Sequence, residues 1–204
     1  MKNVYRSLAV IALSMMFVSQ SYAGFMNFVS DHGDGCRVSG SDCALTTFAH
    51  DSWITAADFN AAAGSVGASW VQAEGSYINS NINDYRVYEF DLKENGPWTI
   101  TDLWISVDDD VSIRHGGNEI WNSASVGGNA WTQAINVTDI IGDIDISANG
   151  RLNFYVHDIG DETQGPTGLI YAGTAVAVPE PSIIALFGVG LLGLGFAGRR
   201  RTHN

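Results

Sequence analysis

The chain has 204 residues, with 10 Lys and Arg against 22 Asp and Glu, a net charge of −12, 46% hydrophobic residues and two cysteines. That length accommodates one domain with a proper core rather than two. The acid excess excludes nucleic acid as a partner, because phosphate binding draws on clustered Lys and Arg.

The first element reads as an export signal. Lys2 and Arg6 supply a basic start, Leu8 to Val18 a short apolar stretch, and Ser21 and Ala23 the small residues that precede a cleavage point at Gly24. The apolar stretch is too short for the roughly 20 residues that a bilayer-spanning helix needs. Residues 1–23 are therefore expected to be a signal peptide, and residues 24–178 the exported body. That body holds five basic residues (Arg37, Arg86, Lys93, Arg114, Arg151) against 21 acidic ones, a net −16. Cations and neutral sugars remain open as partners, beside the plainer reading that the acid keeps a secreted domain soluble.

Cys36 and Cys43 are expected to form a disulfide, because an even pair in an exported chain meets an oxidising compartment. The bond would close only Arg37 to Asp42, pinning a loop rather than the fold. No second cysteine pair or His-x-x-x-His accompanies them for zinc.

From there the pattern is that of strands. Tyr85 to Leu92, Thr101 to Val107 and Arg151 to Asp158 alternate apolar and polar residues, the signature of a sheet with one buried face. Val111 to His115 and Asn118 to Asn122 flank Gly116-Gly117, which suits a tight hairpin needing positive φ at both turn positions. Phe25 to Ser30, Ser69 to Ala73, Thr132 to Val137, Asp143 to Ser147 and Leu169 to Val176 complete the expected strands, and Ala56 to Ala63 is the one helical stretch. Eight to ten strands separated by Gly, Asn and Asp predict an all-β fold, an antiparallel β-sandwich or jelly roll.

Chemistry has few candidate residues. Asp108-Asp109-Asp110 is the densest charge, and carboxylates are what calcium prefers. Adjacent side chains diverge, which leaves Asp108 and Asp110 as the candidate ligands, against the alternative of a solvated strand end. Among six tryptophans, Trp104 stands out as a glycan contact, since alternation places it opposite Leu103, Ile105 and Val107; Trp121, near the hairpin, is the second. A second packed layer is the competing account of Trp104. The five histidines are scattered, no Gly-x-Ser-x-Gly or phosphate loop occurs, and no local pattern nominates a carboxylate pair for glycoside hydrolysis. The expectation is a non-enzymatic protein without a cofactor, calcium aside, and a secreted polysaccharide hydrolase or lyase is the least favoured reading. Asn136-Val137-Thr138 fits a glycosylation sequon.

Val107 to Ile113, Ile120-Trp121, Gly150 to Val156 and Gly168-Leu169 together resemble galactose-binding-like jelly rolls. His115-Gly116-Gly117 stands where those domains carry Val-Asn-Gly, and the order at Gly150 to Asn153 is shifted. The likeness implies a fold and not a ligand.

The last 27 residues are the most specific part of the chain. Val178-Pro179-Glu180-Pro181-Ser182 precedes an apolar run to Gly198 and then Arg199-Arg200-Arg201. Proline lacks an N–H and fixes φ, so the pair ends any preceding strand. Residues 182–198 would make a helix of about 26 Å, able to span a thin bilayer, with the arginines held on the cytoplasmic side. This arrangement resembles the sorting signal of the PEP-CTERM family of bacterial exported proteins. The resemblance implies Pro179, Glu180 and Pro181 as the recognition motif of an exosortase, Arg199 to Arg201 as the cytoplasmic cluster, and residues 179–204 as the whole signal. It further implies export through the inner membrane, a transient membrane anchor in the C-terminal helix, and delivery to the cell surface or matrix beside exopolysaccharide.

Overall fold

The computed structural model describes residues 24–31, 35–38, 41–42, 45–47, 50–73, 85–91, 97–127, 129–147, 151–157 and 167–178. Residues 24–178 form one compact unit. The signal peptide, the sorting motif Pro179 to Pro181, the helix over 182–198, Arg199 to Arg201 and the disulfide of Cys36 with Cys43 lie outside the described residues and side chains.

Among the described residues, thirteen strands form two sheets with antiparallel pairing throughout. Sheet A holds β1 (Phe25–Val29), β4 (Leu45–Thr47), β5 (Val71–Ala73), β7 (Trp98–Asp108), β10 (Ile135–Asn136), β11 (Ile144–Ile146) and β13 (Gly168–Ala177), running β10-β7-β13-β5-β4, with β1 also on β13 and β11 also on β7. Sheet B holds β2 (Gly35–Val38), β3 (Ser41–Asp42), β6 (Tyr85–Asp91), β8 (Asp110–His115), β9 (Asn118–Asn122) and β12 (Arg151–His157), in the order β3-β2-β6-β12-β8-β9. The all-β sandwich expected from alternation is what forms.

The core between the sheets follows from that alternation. Leu152, Phe154 and Val156 of β12, with Val111 and Ile113 of β8, meet Leu103, Ile105 and Val107 of β7 and Leu169, Tyr171 and Ala175 of β13. Phe154 stacks on Tyr171 across the gap, centroids 4.7 Å apart at 19°. Each such side chain, fully buried, contributes about 1.5–3 kcal/mol relative to exposure.

In β7 the inward set changes parity, from Trp98 and Ile100 to Leu103, Ile105 and Val107. The ladder with β13 explains the change: Ile100 pairs with Ala175 and Asp102 with Thr174, leaving Thr101 as an extra residue. A bulge of this kind resets which side chains face the core. On the other edge of β7, β10 pairs on one side of the bulge and β11 on the other. Between them lies a short helix, α2 (Thr138–Ile141).

This is where the sequence expectation fails. Thr132 to Val137 is not a strand: a 3-10 turn occupies Ala130–Thr132, only Ile135–Asn136 pairs, and the chain then turns into α2. The β-branched residues suggest a strand, but side-chain hydrogen bonds to backbone win. The Leu103 N–H donates to Thr138 Oγ1 (3.1 Å), and the Val137 N–H donates to the Leu103 carbonyl (2.8 Å). The Thr138 hydroxyl donates to Asn136 Oδ1 (2.7 Å), and Asn136 Nδ2 donates to Asp102 Oδ1 (3.0 Å). The residues of the sequon are thus engaged in closing the sheet beside the bulge.

Sheet A is covered on its other face too. The helix α1 (Ala56–Ala63), as expected from sequence, starts at Thr55, whose Oγ1 accepts from the Asp58 N–H (3.1 Å), and ends at Gly64 with φ 61°. Asn60 ties its end to the following segment: Nδ2 donates to the Ala68 carbonyl (2.9 Å) and Oδ1 accepts from the Ala68 N–H (3.1 Å). Phe59, Trp53, Ala68 and Trp70 then pack on Ile170 and Ala172 of β13.

Candidate functional site

Two surfaces and one strand end concentrate the polar chemistry. The first is the corner where β7 passes into β8. Gly168, the first residue of β13, pairs with Asp108, the last of β7. A Cβ on Gly168 would lie 2.5 Å from Trp53 Cη2 and 3.2 Å from Trp70 Cε3, so only glycine admits the two indoles here. Trp53 and Trp70 pack with centroids 4.3 Å apart, and Trp53 Nε1 donates to Asp108 Oδ2 (2.7 Å). Asp110 Oδ1 accepts from the Ser123 hydroxyl (3.0 Å), and the same oxygen of Ser123 accepts from the Val111 N–H (2.9 Å). His50 stands at the rim, 6.0 Å from Trp53 between ring centroids.

The two calcium candidates, Asp108 and Asp110, are therefore engaged with different elements, the tryptophan layer and the turn after β9. Among the described residues no three His, Cys, Asp or Glu side chains converge as a metal would require.

The second surface is the outer face of sheet B, which no described layer covers. There Glu119 accepts from the Ser112 hydroxyl through Oε2 (2.6 Å) and from Asn122 Nδ2 through Oε1 (2.7 Å). Arg114 Nε donates to Ser112 Oγ (3.1 Å), Arg114 Nη2 lies 3.9 Å from Glu119 Oε2, and the guanidinium sits 4.7 Å over the Tyr155 ring. The hydrogen bonds from Ser112 and then Asn122 hold the Glu119 carboxyl below its ordinary range against the opposing effect of desolvation, with the Arg114 charge the smallest contribution. Asn153, paired in register with Arg114, keeps its Oδ1 buried without a hydrogen-bond partner among the described residues.

The tryptophans singled out from sequence are placed unequally. Trp104 lies on the outer face of sheet A, as alternation indicated, but half-buried against the α1 layer rather than among polar neighbours. Trp121 is 5% exposed and belongs to the core between the sheets, its Nε1 without a partner among the described residues. It pairs with Ile113, an inward residue, and the ladder shifts just after that pair. Its ring is enclosed, so it offers no face to a sugar. The patch of Ser112, Arg114, Glu119, Asn122 and Tyr155 was not singled out from sequence, because cross-strand register and not local spacing assembles it.

The strand end is the third place. At the far end of β13 from the aspartate corner, about 30 Å away at the usual rise per residue, the Ala177 N–H donates to the Gly24 carbonyl and the Val178 N–H to the Pro97 carbonyl, both at 2.8 Å. The first and last residues of the body are neighbours.

Comparison with known proteins bears on this last place. Residues 177–201 match the PEP-CTERM protein-sorting motif. The chain carries that motif, which implies exosortase-dependent export. No curated protein is significantly similar. Among solved structures, the tandem CBM51 modules of a family 98 glycoside hydrolase from Streptococcus pneumoniae SP3-BS71 align at 12% identity with a TM-score of 0.38, over 78% of this chain and 50% of that one. This chain spans about half of that structure, and a TM-score of this size transfers neither fold nor ligand.

Proposed function

We propose that this is a non-catalytic, exported protein whose β-sandwich body is held briefly at the inner membrane, processed by an exosortase and delivered to the cell surface or matrix, where it acts structurally or adhesively against exopolysaccharide. The observation that supports this most is the direct junction of an acidic sandwich to the sorting motif, with Val178 still bonded to the body. The tail then serves as anchor and address, and the body as the part displayed. Cell fractionation with and without the exosortase tests the reading. A shortened C-terminus and a changed location only in the presence of the enzyme support it; an unchanged mass and location in both strains would refute it.

A second reading, a carbohydrate-binding module, has its own support in the outer face of sheet B. Glu119, Asn122 and Arg114 offer paired acceptors and donors of the kind that vicinal hydroxyls bond, beside the Tyr155 ring. Trp104 is the remaining aromatic candidate on sheet A. In this reading Tyr155→Ala lowers retention on immobilised polysaccharide while the melting temperature stays near wild type, and Trp104→Ala separates the two faces. Calcium assistance through Asp108 and Asp110 would show as a rise in melting temperature, because a ion bound only to the native state stabilises it. Absence of retention on a broad glycan array removes this second reading.

A further inference from the structure

We infer that the exosortase acts on this chain only after the tip of sheet A has opened, with Val176 to Val178 peeled from the ladder, so that β1 gates processing. The inference goes beyond the proposed function and rests on the reading that the 177–201 motif is an exosortase substrate. Enzymes that cut or transfer at a peptide bond hold several residues of the substrate backbone in extended form, with its N–H and C=O groups available. Here those groups are taken. Pro179 follows Val178 directly, and the Val178 N–H is bonded to Pro97. Val176 is flanked on both edges, by Phe25 of β1 and Thr99 of β7, and Ala177 by the Gly24 carbonyl and Trp98. A strand paired on both sides has no edge to present to an enzyme groove.

The fold also supplies the hinge. The register shift falls between Thr174 and Ala175, opposite the extra residue Thr101. The pairing of β13 with β7 is thus interrupted just before the core residue Ala175, while its pairing with β1 runs unbroken from Ala172 to Val176, so that Val176 to Val178 can leave without disturbing the β7 ladder that holds Gly168 to Thr174. Beyond Ala175 the side chains hold the strand less firmly: Val176 is half-buried, Ala177 is partly buried against the core, Val178 is exposed, and Phe25 on the clasping strand is 67% exposed. The tip is retained mainly by backbone hydrogen bonds.

The test uses the full-length chain in cells that carry the exosortase, following conversion of precursor to processed form by pulse-chase. Phe25 and Val176 are direct cross-strand partners beside the bonded Gly24 and Ala177 position, the arrangement in which paired side chains lie closest. A Phe25→Cys/Val176→Cys chain, cross-linked in the oxidising compartment, is expected to be processed several-fold more slowly than wild type. Inserting a Gly/Ser spacer of about six residues after Val178 should restore its rate, and Phe25→Ser/Val176→Ser, which cannot cross-link, should match or exceed wild type. Processing of the cross-linked chain at the wild-type rate overturns the inference. So does a spacer that fails to rescue it, since the cross-link would then act elsewhere. Failure to process any form, wild type included, would instead refute the sorting reading itself.

Discussion

The two ends of β13 share hydrogen bonding but not packing. At Gly168 to Ala172 every residue is buried, enclosed by Trp53 and Trp70 on one side and the inter-sheet core on the other. At Val176 and Ala177 the side chains are half-exposed, and the strand is held mainly by its ladder, with Ala177 packed only at the edge of the core. One continuous strand therefore spans a range of local stability, because regions with few buried apolar contacts open at lower cost than the core. The sorting motif is joined to the weak end. Native-state hydrogen exchange should register the gradient directly, with the amides of Leu169 to Ala172 protected and those of Ala177 and Val178 exchanging fast.

The largest expected effect is at the strong end. Gly168→Val forces a side chain into Trp53 and Trp70, and overpacking of this kind should cost about 3 kcal/mol in a urea titration. A wild-type midpoint would show that the indole layer yields and that the contrast between the ends is smaller than drawn. Next is the junction between the ends. Thr138→Val leaves the Leu103 N–H and Asn136 Oδ1 without the hydroxyl that serves both, for an expected loss of about 2 kcal/mol; Thr138→Ser should recover most of it, since it keeps the oxygen.

Away from β13, Glu119 offers a smaller, pH-dependent term. Its folded pKa is depressed, so its contribution is complete above the unfolded carboxylate value of about 4.3 and is lost as pH falls through the lower folded value. In Glu119→Gln the denaturation midpoint should therefore fall slightly at neutral pH and converge on wild type in acid, the difference being small because the pair with Arg114 is exposed. The smallest effect belongs to the weak end: Phe25→Ser, at a residue 67% exposed, should shift stability by no more than about 0.5 kcal/mol. A larger loss would mean that β1 packs more firmly than its exposure indicates.

How far the sequence reveals this arrangement depends on the range of the interaction. The Gly116-Gly117 hairpin is legible because two adjacent residues carry its geometry, with φ of 58° and 84°, and β12 because seven residues alternate without interruption. In β7 alternation holds only on either side of Thr101, so no single period shows that Trp98, Ile100 and Leu103 all face inward. The short strands β2, β3 and β4 carry Gly, Ser, Asp and Thr without a period, and their pairing is set by β6 and β5. Trp121 is misjudged because a bulge beside it shifts register with β8. The bond from Trp53 to Asp108 crosses 55 positions, and nothing local to either residue announces it. The sorting motif is the opposite case, being contiguous and independent of the fold.

Since the Gly24 carbonyl and the Ala177 amide already touch, the body is topologically a closed loop with a nick in it. A short bridge from Val178 to Gly24 would seal that nick, and opening the chain at the Gly116-Gly117 turn would give a circular permutant with the same two sheets. For the same reason the sandwich could be grafted into an exposed loop of a host protein without pushing the host's own strands apart.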